Sequence, residues 1–283
     1  MERFETRDAL QAHLDSIRAQ GQSIGLVPTM GNLHEGHLAL VEAARNDSDY
    51  VLATIFVNPL QFGPEEDLDS YPRTLEEDCS QLEAHHCDAV FIPSAEEMYP
   101  GGLDNQALVT VPGLSERHCG ASRPLHFGGV CTVVCKLFNL TNPDIAFFGE
   151  KDYQQLQVIR KMTQDLCIPV SITGVPTVRL PSGLALSSRN NYLDASQLET
   201  AAILQATLKE AADKLQQGSQ EFDRIEDSAK TRLTESSFLP DYFSICHAAT
   251  LEPATTADKS LVILAAAWLG ETRLIDNIMI TLS

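Results

Sequence analysis

Val51-Leu52-Ala53-Thr54-Ile55-Phe56-Val57 is an apolar run with no polar alternation, and shorter runs such as Ile24-Gly25-Leu26-Val27 recur along the first 175 residues. A strand that is apolar on both faces must be covered on both, which is the condition of a parallel sheet packed between helices. Strands are predicted at 24–28, 50–57, 88–92, 144–148 and 170–175. The intervening segments, 5–20, 36–46, 72–86, 128–141 and 152–166, carry helical periodicity.

The pattern changes after Arg179. Residues 195–217 and 220–235 read as helices, the first with an apolar stripe of Ala201, Leu204, Leu208, Ala211, Ala212 and Leu215. Residues 241–248, 260–269 and 272–281 read as antiparallel strands, the last two joined by Gly270-Glu271. The fold class is therefore α/β: a Rossmann-like parallel-sheet domain over 1–178, followed by a smaller α+β domain over 179–283. A length of 283 residues suits two domains at roughly 150 residues each.

In parallel sheets of this kind ligands bind outside the carboxyl ends of the strands. Pro28-Thr29-Met30-Gly31-Asn32-Leu33-His34-Glu35-Gly36-His37 occupies such a place, between the strand at 24–28 and a helix that continues through Leu38 to Arg45. A strand, a glycine-containing turn and a helix start present backbone N–H groups and the positive end of the helix dipole to an anion. His34 and His37, at i and i+3, fall on one side of the first turn, and Gly31 and Gly36 let phosphates approach the backbone. The motif H-x-G-H predicts a site for the phosphates of ATP. A zinc reading fails on spacing, because the metalloprotease helix needs histidines at i and i+4. An isolated H-x-x-H would more often be ordinary surface or core histidine, so the reading depends on the segments downstream.

The bulk numbers exclude several classes. A formal charge of −19 leaves no basic stripe for nucleic acid. Seven cysteines, at 79, 87, 119, 131, 135, 167 and 246, form no C-x-x-C pair, which suits reduced thiols in a cytoplasm rather than a disulfide framework or zinc ribbon. The N-terminus carries early acids and no apolar core of a signal peptide. The longest apolar run, Leu261 to Leu269, is too short to span a bilayer and reads as a buried strand, so no membrane partner is expected.

The strings VPTMGNLHEGH, FVNPLQFGPEEDL, YPRTLEEDC, FFGEKDYQQL, SGLALSSRNNYL and AAWLGETRLIDN occur in that order over nearly the whole chain. By them the sequence resembles the pantothenate synthetase (pantoate–β-alanine ligase) family of H-x-G-H nucleotidyltransferases. The resemblance implies ligation of pantoate to β-alanine through a pantoyl adenylate, with release of AMP and pyrophosphate. It also implies a cytoplasmic homodimer built through the N-terminal domains, ATP as co-substrate, and Mg²⁺.

Residue by residue, it places Pro28, Thr29, Met30, His34, Gly36, His37, Gly149, Lys151, Asp152, Val178, Leu186, Ser187, Ser188 and Arg189 at ATP. Catalytic roles fall to His34, His37, Lys151, Ser187, Ser188 and Arg189, the last three in a Gly183-hinged loop similar to the family's mobile phosphate loop. Met30, Asn58, Gln61 and Gln155 would bind pantoate, with Phe62 nearby; Arg123 and His126 would hold the β-alanine carboxylate or a phosphate. Glu77, Asp78 and Gln81 would lie near Mg²⁺, through water or directly. Tyr71 and Asp152 match family positions that packing or capping would explain equally well.

One position departs from the family pattern: Gly128 stands where an Arg usually follows His-Phe. Either that Arg holds a substrate carboxylate and its absence weakens β-alanine binding, or, the favoured expectation, it is a surface or interface group and Arg123 with Lys151 supplies the needed charge. Two rivals remain. Another H-x-G-H nucleotidyltransferase or a tRNA synthetase fragment is disfavoured by the SGLALSSRN loop, the Gln61/Gln155 pair and the acidity. A non-catalytic nucleotide-binding protein on the same fold would be expected to have lost Lys151, His37 or Arg189, and all three are present.

Overall fold

A computed structural model of the chain describes residues 1–63, 66 and 68–282. Contacts divide it into two compact units: Met1–Glu150 with Gln155–Pro176, and Lys151–Gln154 with Thr177–Ser283. The short segment Lys151–Gln154 groups with the second unit although its sequence neighbours belong to the first.

The first unit runs β1 (Glu2–Phe4), α1 (Arg7–Ala19), β2 (Ile24–Thr29), α2 (Glu35–Asp47), β3 (Tyr50–Ile55), α3 (Leu75–Ala84), β4 (Ala89–Phe91), α4 (Ala95–Met98), α5 (Cys119–Ser122), α6 (His126–Thr141), β5 (Ile145–Gly149), α7 (Tyr153–Asp165) and β6 (Ser171–Val175). The division between the units passes through the first turn of α7. The six strands form one sheet in the order β1-β4-β3-β2-β5-β6, every pairing parallel. β3 is buried at all six residues and β2 at five of six, as the unalternating apolar runs require. The chain builds outward from β2 through β3 to β4, then returns to place β5 on the other side of β2. The carboxyl ends of β2 and β5 therefore flank the switch point, where open α/β sheets bind ligands.

The predicted strands and helices are all present, with ends shifted by up to three residues. β1 has no counterpart among the predicted strands, because three residues with two exposed give no apolar run to read.

The second unit holds α8 (Ala195–Gln216), α9 (Phe222–Glu235), β7 (Phe238–His247), β8 (Ser260–Leu269) and β9 (Thr272–Thr281). Its strands form an antiparallel sheet in the order β7-β8-β9. Leu204, Leu208 and Leu215 of α8 and Leu233 of α9 share one core with Phe243 and Ile263 of the sheet. Asp194 caps α8 by accepting from the Gln197 amide at 2.8 Å while the Gln197 side chain accepts from Asp194, a reciprocal cap of the order of 1 kcal/mol. Lys151–Gln154 is tied into this unit by Asn277 Nδ2 donating to the Lys151 carbonyl at 2.9 Å and by the Tyr153 hydroxyl donating to the Ala248 carbonyl at 3.1 Å. All seven cysteines are free thiols. No helix among the described residues is long and apolar enough to cross a membrane.

Two adjacent glycines in the first turn of α6 have opposite surroundings. A Cβ on Gly129 would lie 2.1 Å from the Leu60 carbonyl oxygen and 2.5 Å from the Gln61 nitrogen, so only glycine lets α6 meet the segment after β3. A Cβ on Gly128 meets nothing closer than Thr110 Cγ2 at 3.9 Å. Gly129→Ala is therefore expected to destabilise the protein by about 2 kcal/mol or more through overpacking against backbone. Gly128→Ala is expected to be neutral or to stabilise it by up to about 1 kcal/mol through lost unfolded-state entropy. Urea unfolding of the two variants checks the difference in sign. Equal stabilities would mean that the helix does not need this approach.

Candidate active site

In the first unit the start of α2 is held by its own histidines. Gly36 N–H donates to His34 Nδ1 at 3.1 Å, and His34 N–H donates to His37 Nδ1 at 3.3 Å, so each imidazole satisfies a backbone donor that the helix leaves over. The rings lie 4.1 Å apart between centroids. An Nδ1 that accepts cannot carry the proton, so a neutral imidazole in either place is the Nε2–H tautomer, with Nε2 a hydrogen-bond donor. Gly36 is needed for this geometry, since a Cβ there would meet His34 Cε1 at 2.8 Å and Nδ1 at 2.9 Å.

The turn before the histidines is shaped by Asp78. Its buried carboxylate accepts from Asn32 N–H at 2.9 Å and Leu33 N–H at 2.8 Å, with the Thr74 hydroxyl at 3.2 Å. Gly31, at φ +81°, turns the chain into that grip. Thr29 spends its hydroxyl on the Thr54 carbonyl at 2.6 Å and accepts from Gly31 N–H at 3.2 Å, while Pro28 lies within β2 opposite Thr54.

The expected metal residues are not brought together as ligands. Both Asp78 oxygens are occupied by backbone and hydroxyl donors, Glu77 is exposed and Gln81 half-buried. Among the described residues no group of three or more His, Cys, Asp or Glu side chains is arranged to hold a metal ion. In this structure Asp78 serves the turn.

Beyond β3, Asn58, Gln61 and Met30 do come together. Asn58 Nδ2 donates to Gln61 Oε1 and to the Gly129 carbonyl, both at 3.1 Å; its Oδ1 accepts from the Tyr99 hydroxyl at 2.7 Å and from Leu60 N–H at 3.4 Å. Gln61 Nε2 donates to Met30 Sδ at 2.9 Å. Tyr71 packs its ring edge against Phe62, 5.8 Å between centroids. Gln155 is half-buried in the first turn of α7, beyond the end of β5, whose last residue, Gly149, has open space around it.

Arg123 and His126 are committed elsewhere than expected. Arg123 Nε donates to Glu66 Oε1 at 2.7 Å and its Nη2 pairs with Glu66 Oε2. Burial alone would raise the Glu66 carboxyl, but the Arg123 hydrogen bond and charge outweigh it and hold it below its ordinary range. His126 Nδ1 hydrogen-bonds the Gln61 carbonyl at 2.9 Å, and Arg123 reaches the same carbonyl at 3.4 Å. In this structure Arg123 and His126 brace the Gln61 segment.

In the second unit a hollow is lined by Lys151, Ser187, Arg189, Leu184, Ala185 and Arg273, among others. The Lys151 ammonium lies 3.6 Å from the half-exposed Asp152 carboxylate. Ser187 Oγ accepts from Arg189 N–H at 3.3 Å and opens the turn Ser188–Tyr192. Leu186 N–H donates to the Val178 carbonyl at 3.0 Å, closing the small loop from which the serines emerge. Asp276 holds that loop: it pairs with Arg179 through two bonds of 2.6 and 2.9 Å, and Arg179 also donates to the Gly183 carbonyl at 3.1 Å.

Sequence reasoning missed Tyr99, Glu66, Arg179, Asp276, Asn277 and Arg273. The last three lie in the quoted string AAWLGETRLIDN, and Asp276, a charge set within an otherwise apolar strand, was the available signal.

The sequence matches the family model described as pantoate-beta-alanine ligase over residues 2–279. It is 54% identical to the pantothenate synthetase of Hahella chejuensis over 273 residues, covering 96% of each chain. It is 53% identical to that of Ectopseudomonas mendocina over 283 residues, covering 100% of this chain and 99% of the relative. Its structure is similar to the crystal structure of pantothenate synthetase from Thermus thermophilus, with a TM-score of 0.92, 44% identity and coverage of 98% and 99% of the two chains. It is also similar to pantoate-beta-alanine ligase from Francisella tularensis complexed with beta-gamma ATP and beta-alanine, with a TM-score of 0.83, 32% identity and coverage of 99% and 97%. With a near-complete family match and relatives above half identity, the chain belongs to the pantoate–β-alanine ligase family.

Proposed function

We propose that the helix start carrying His34 and His37 holds the triphosphate and that Gln61 and Gln155 hold pantoate. The chain is an ATP-dependent ligase that joins pantoate to β-alanine, giving pantothenate, AMP and pyrophosphate through a pantoyl adenylate. The relative complexed with beta-gamma ATP and beta-alanine supports both as substrates of this chain. Magnesium would enter with the nucleotide, with Glu77, Asp78 and Gln81 near it through water.

A carboxylate is a poor electrophile toward an amine, so the pantoate carboxylate first attacks the α-phosphorus of ATP and expels pyrophosphate. The amine of β-alanine then attacks the mixed anhydride and releases AMP. Both steps reward positioning and charge neutralisation more than covalent help from the protein. His34 and His37, as Nε2–H donors, bind triphosphate oxygens. Lys151 and Arg189 balance charge as it develops around the α-phosphate and the leaving pyrophosphate, and Ser187 and Ser188 donate hydroxyls there. Gln61 and Gln155 bind pantoate oxygens, with Met30 forming an apolar wall.

The observation that carries this reading is the capped imidazole pair, which presets two donors at the phosphate-binding end of a helix. The test is AMP formation with ATP and magnesium, omitting pantoate or β-alanine in turn. AMP release that did not depend on pantoate would overturn it.

Two further outcomes follow from the assigned roles. His37→Ala and Lys151→Ala are each expected to slow adenylation about 10²–10³-fold, the usual loss for one preorganised donor, without unfolding the protein. Single-turnover rates with pantoate and ATP check this; near-normal rates would remove the residue from the mechanism. Gly36→Ala removes no functional group yet displaces His34. It is expected to slow adenylation at least tenfold, while thermal stability changes little, because the better helix propensity of alanine offsets the lost cap bond. Full activity in Gly36→Ala would show that the folded-back imidazole is not the working form.

A further inference from the structure

The amide of Gln61 reads the same at both ends by shape, and only its partners decide which end faces substrate. Those partners trace to backbone groups of fixed polarity. The Gly129 carbonyl can only accept, so the Asn58 atom beside it at 3.1 Å is Nδ2; Leu60 N–H can only donate, so the atom at 3.4 Å is Oδ1. Asn58 Nδ2 must then find an acceptor in Gln61, which turns Oε1 inward at 3.1 Å and leaves Nε2 as the outward, donating end. The stronger bond to Asn58 Oδ1 is that of the Tyr99 hydroxyl, at 2.7 Å.

We propose that Tyr99 is a positioning residue for pantoate recognition: through Asn58 it locks Gln61 with its NH₂ presented, so that the pocket selects a substrate oxygen that accepts. This rests on the reading that Gln61 binds pantoate. Tyr99 is buried, 2% exposed, after the short helix α4, and touches nothing in the reaction itself. Its ring packs near Phe56, 6.1 Å between centroids, with Lys136 Nζ 5.0 Å from the ring centre. Burial raises its phenol, so it remains protonated and keeps donating across the working pH range. Without the hydroxyl, Asn58 Oδ1 keeps only the long Leu60 contact. The Asn58 side chain then loosens, and Gln61 loses the partner that fixes its orientation.

Tyr99→Phe deletes the hydroxyl and keeps the ring. It is expected to raise the pantoate KM about three- to tenfold, the scale of one buried hydrogen bond, with kcat and the KM values for ATP and β-alanine within about twofold. Gln61→Ala is expected to raise the pantoate KM as well, and adding Tyr99→Phe to it should change nothing further, because the two act through one amide. Asn58→Ala cuts the same chain one link on and also strips the Gly129 carbonyl and Leu60 N–H of a partner, so as a second variant it should raise the pantoate KM at least as much. Lys136→Met removes the cation over the ring but not the hydroxyl, and should leave the pantoate KM unchanged.

A raised pantoate KM in Gln61→Ala with none in Tyr99→Phe or Asn58→Ala would overturn the relay alone. An unchanged pantoate KM in Gln61→Ala would remove the pantoate reading and the relay with it. Additive effects in the double variant, or a rise in Lys136→Met equal to that in Tyr99→Phe, would show that Tyr99 acts through packing.

Discussion

The reciprocal cap at the start of α2 is the constraint from which the candidate site grows. Most helices satisfy their first N–H groups with hydroxyls or carboxylates, which can do little else once engaged. Here imidazoles take that place: His34 accepts from Gly36 and His37 from His34, each through Nδ1. The same bonds that complete the helix select the tautomer whose other nitrogen donates. Asp78 completes the arrangement by holding the Asn32 and Leu33 amides, which fixes where α2 begins. A structural need and a chemical one are met by the same two side chains.

The remainder of the site repeats that logic with groups of fixed polarity. Gly129 brings a helix carbonyl against the segment after β3, and that carbonyl orients Asn58, which orients Gln61. In the second unit buried Asp276 binds Arg179 and accepts from Asn277 N–H at 2.7 Å, while the Asn277 side chain holds the Lys151 carbonyl. A buried charge pair of this kind contributes little net stability, but removing one partner leaves an uncompensated charge. Its value lies in fixing the backbone that carries Lys151 and the serine loop.

Much of this was legible in the sequence, for identifiable reasons. Apolar runs without alternation can only be buried strands, so β2 and β3 were plain; the helical stripe of α8 was equally clear. His34, His37, Gln61 and Lys151 stood in motifs whose chemistry explains them. Illegible were the partners contributed from far along the chain. Glu66 claims Arg123 across 57 residues and Tyr99 meets Asn58 across 41, and neither spacing has a period to detect. Arg123 is the instructive case: the motif in which it stands gives no sign of its carboxylate partner, Glu66. Gly128 was a departure from pattern that the structure reduces to an open position on α6, away from the crowding at Gly129.

That α2 sets the protonation of its own histidines is directly measurable. Long-range nitrogen–proton correlation spectra of protein labelled with ¹⁵N-histidine, assigned by His34→Gln and His37→Gln, report which ring nitrogen carries the proton. For both residues the expected result is a neutral ring with its proton on Nε2 and an unprotonated, accepting Nδ1. A proton on Nδ1 of either ring would mean that the imidazoles do not cap the helix, and that their Nε2 donors are not preset by the fold.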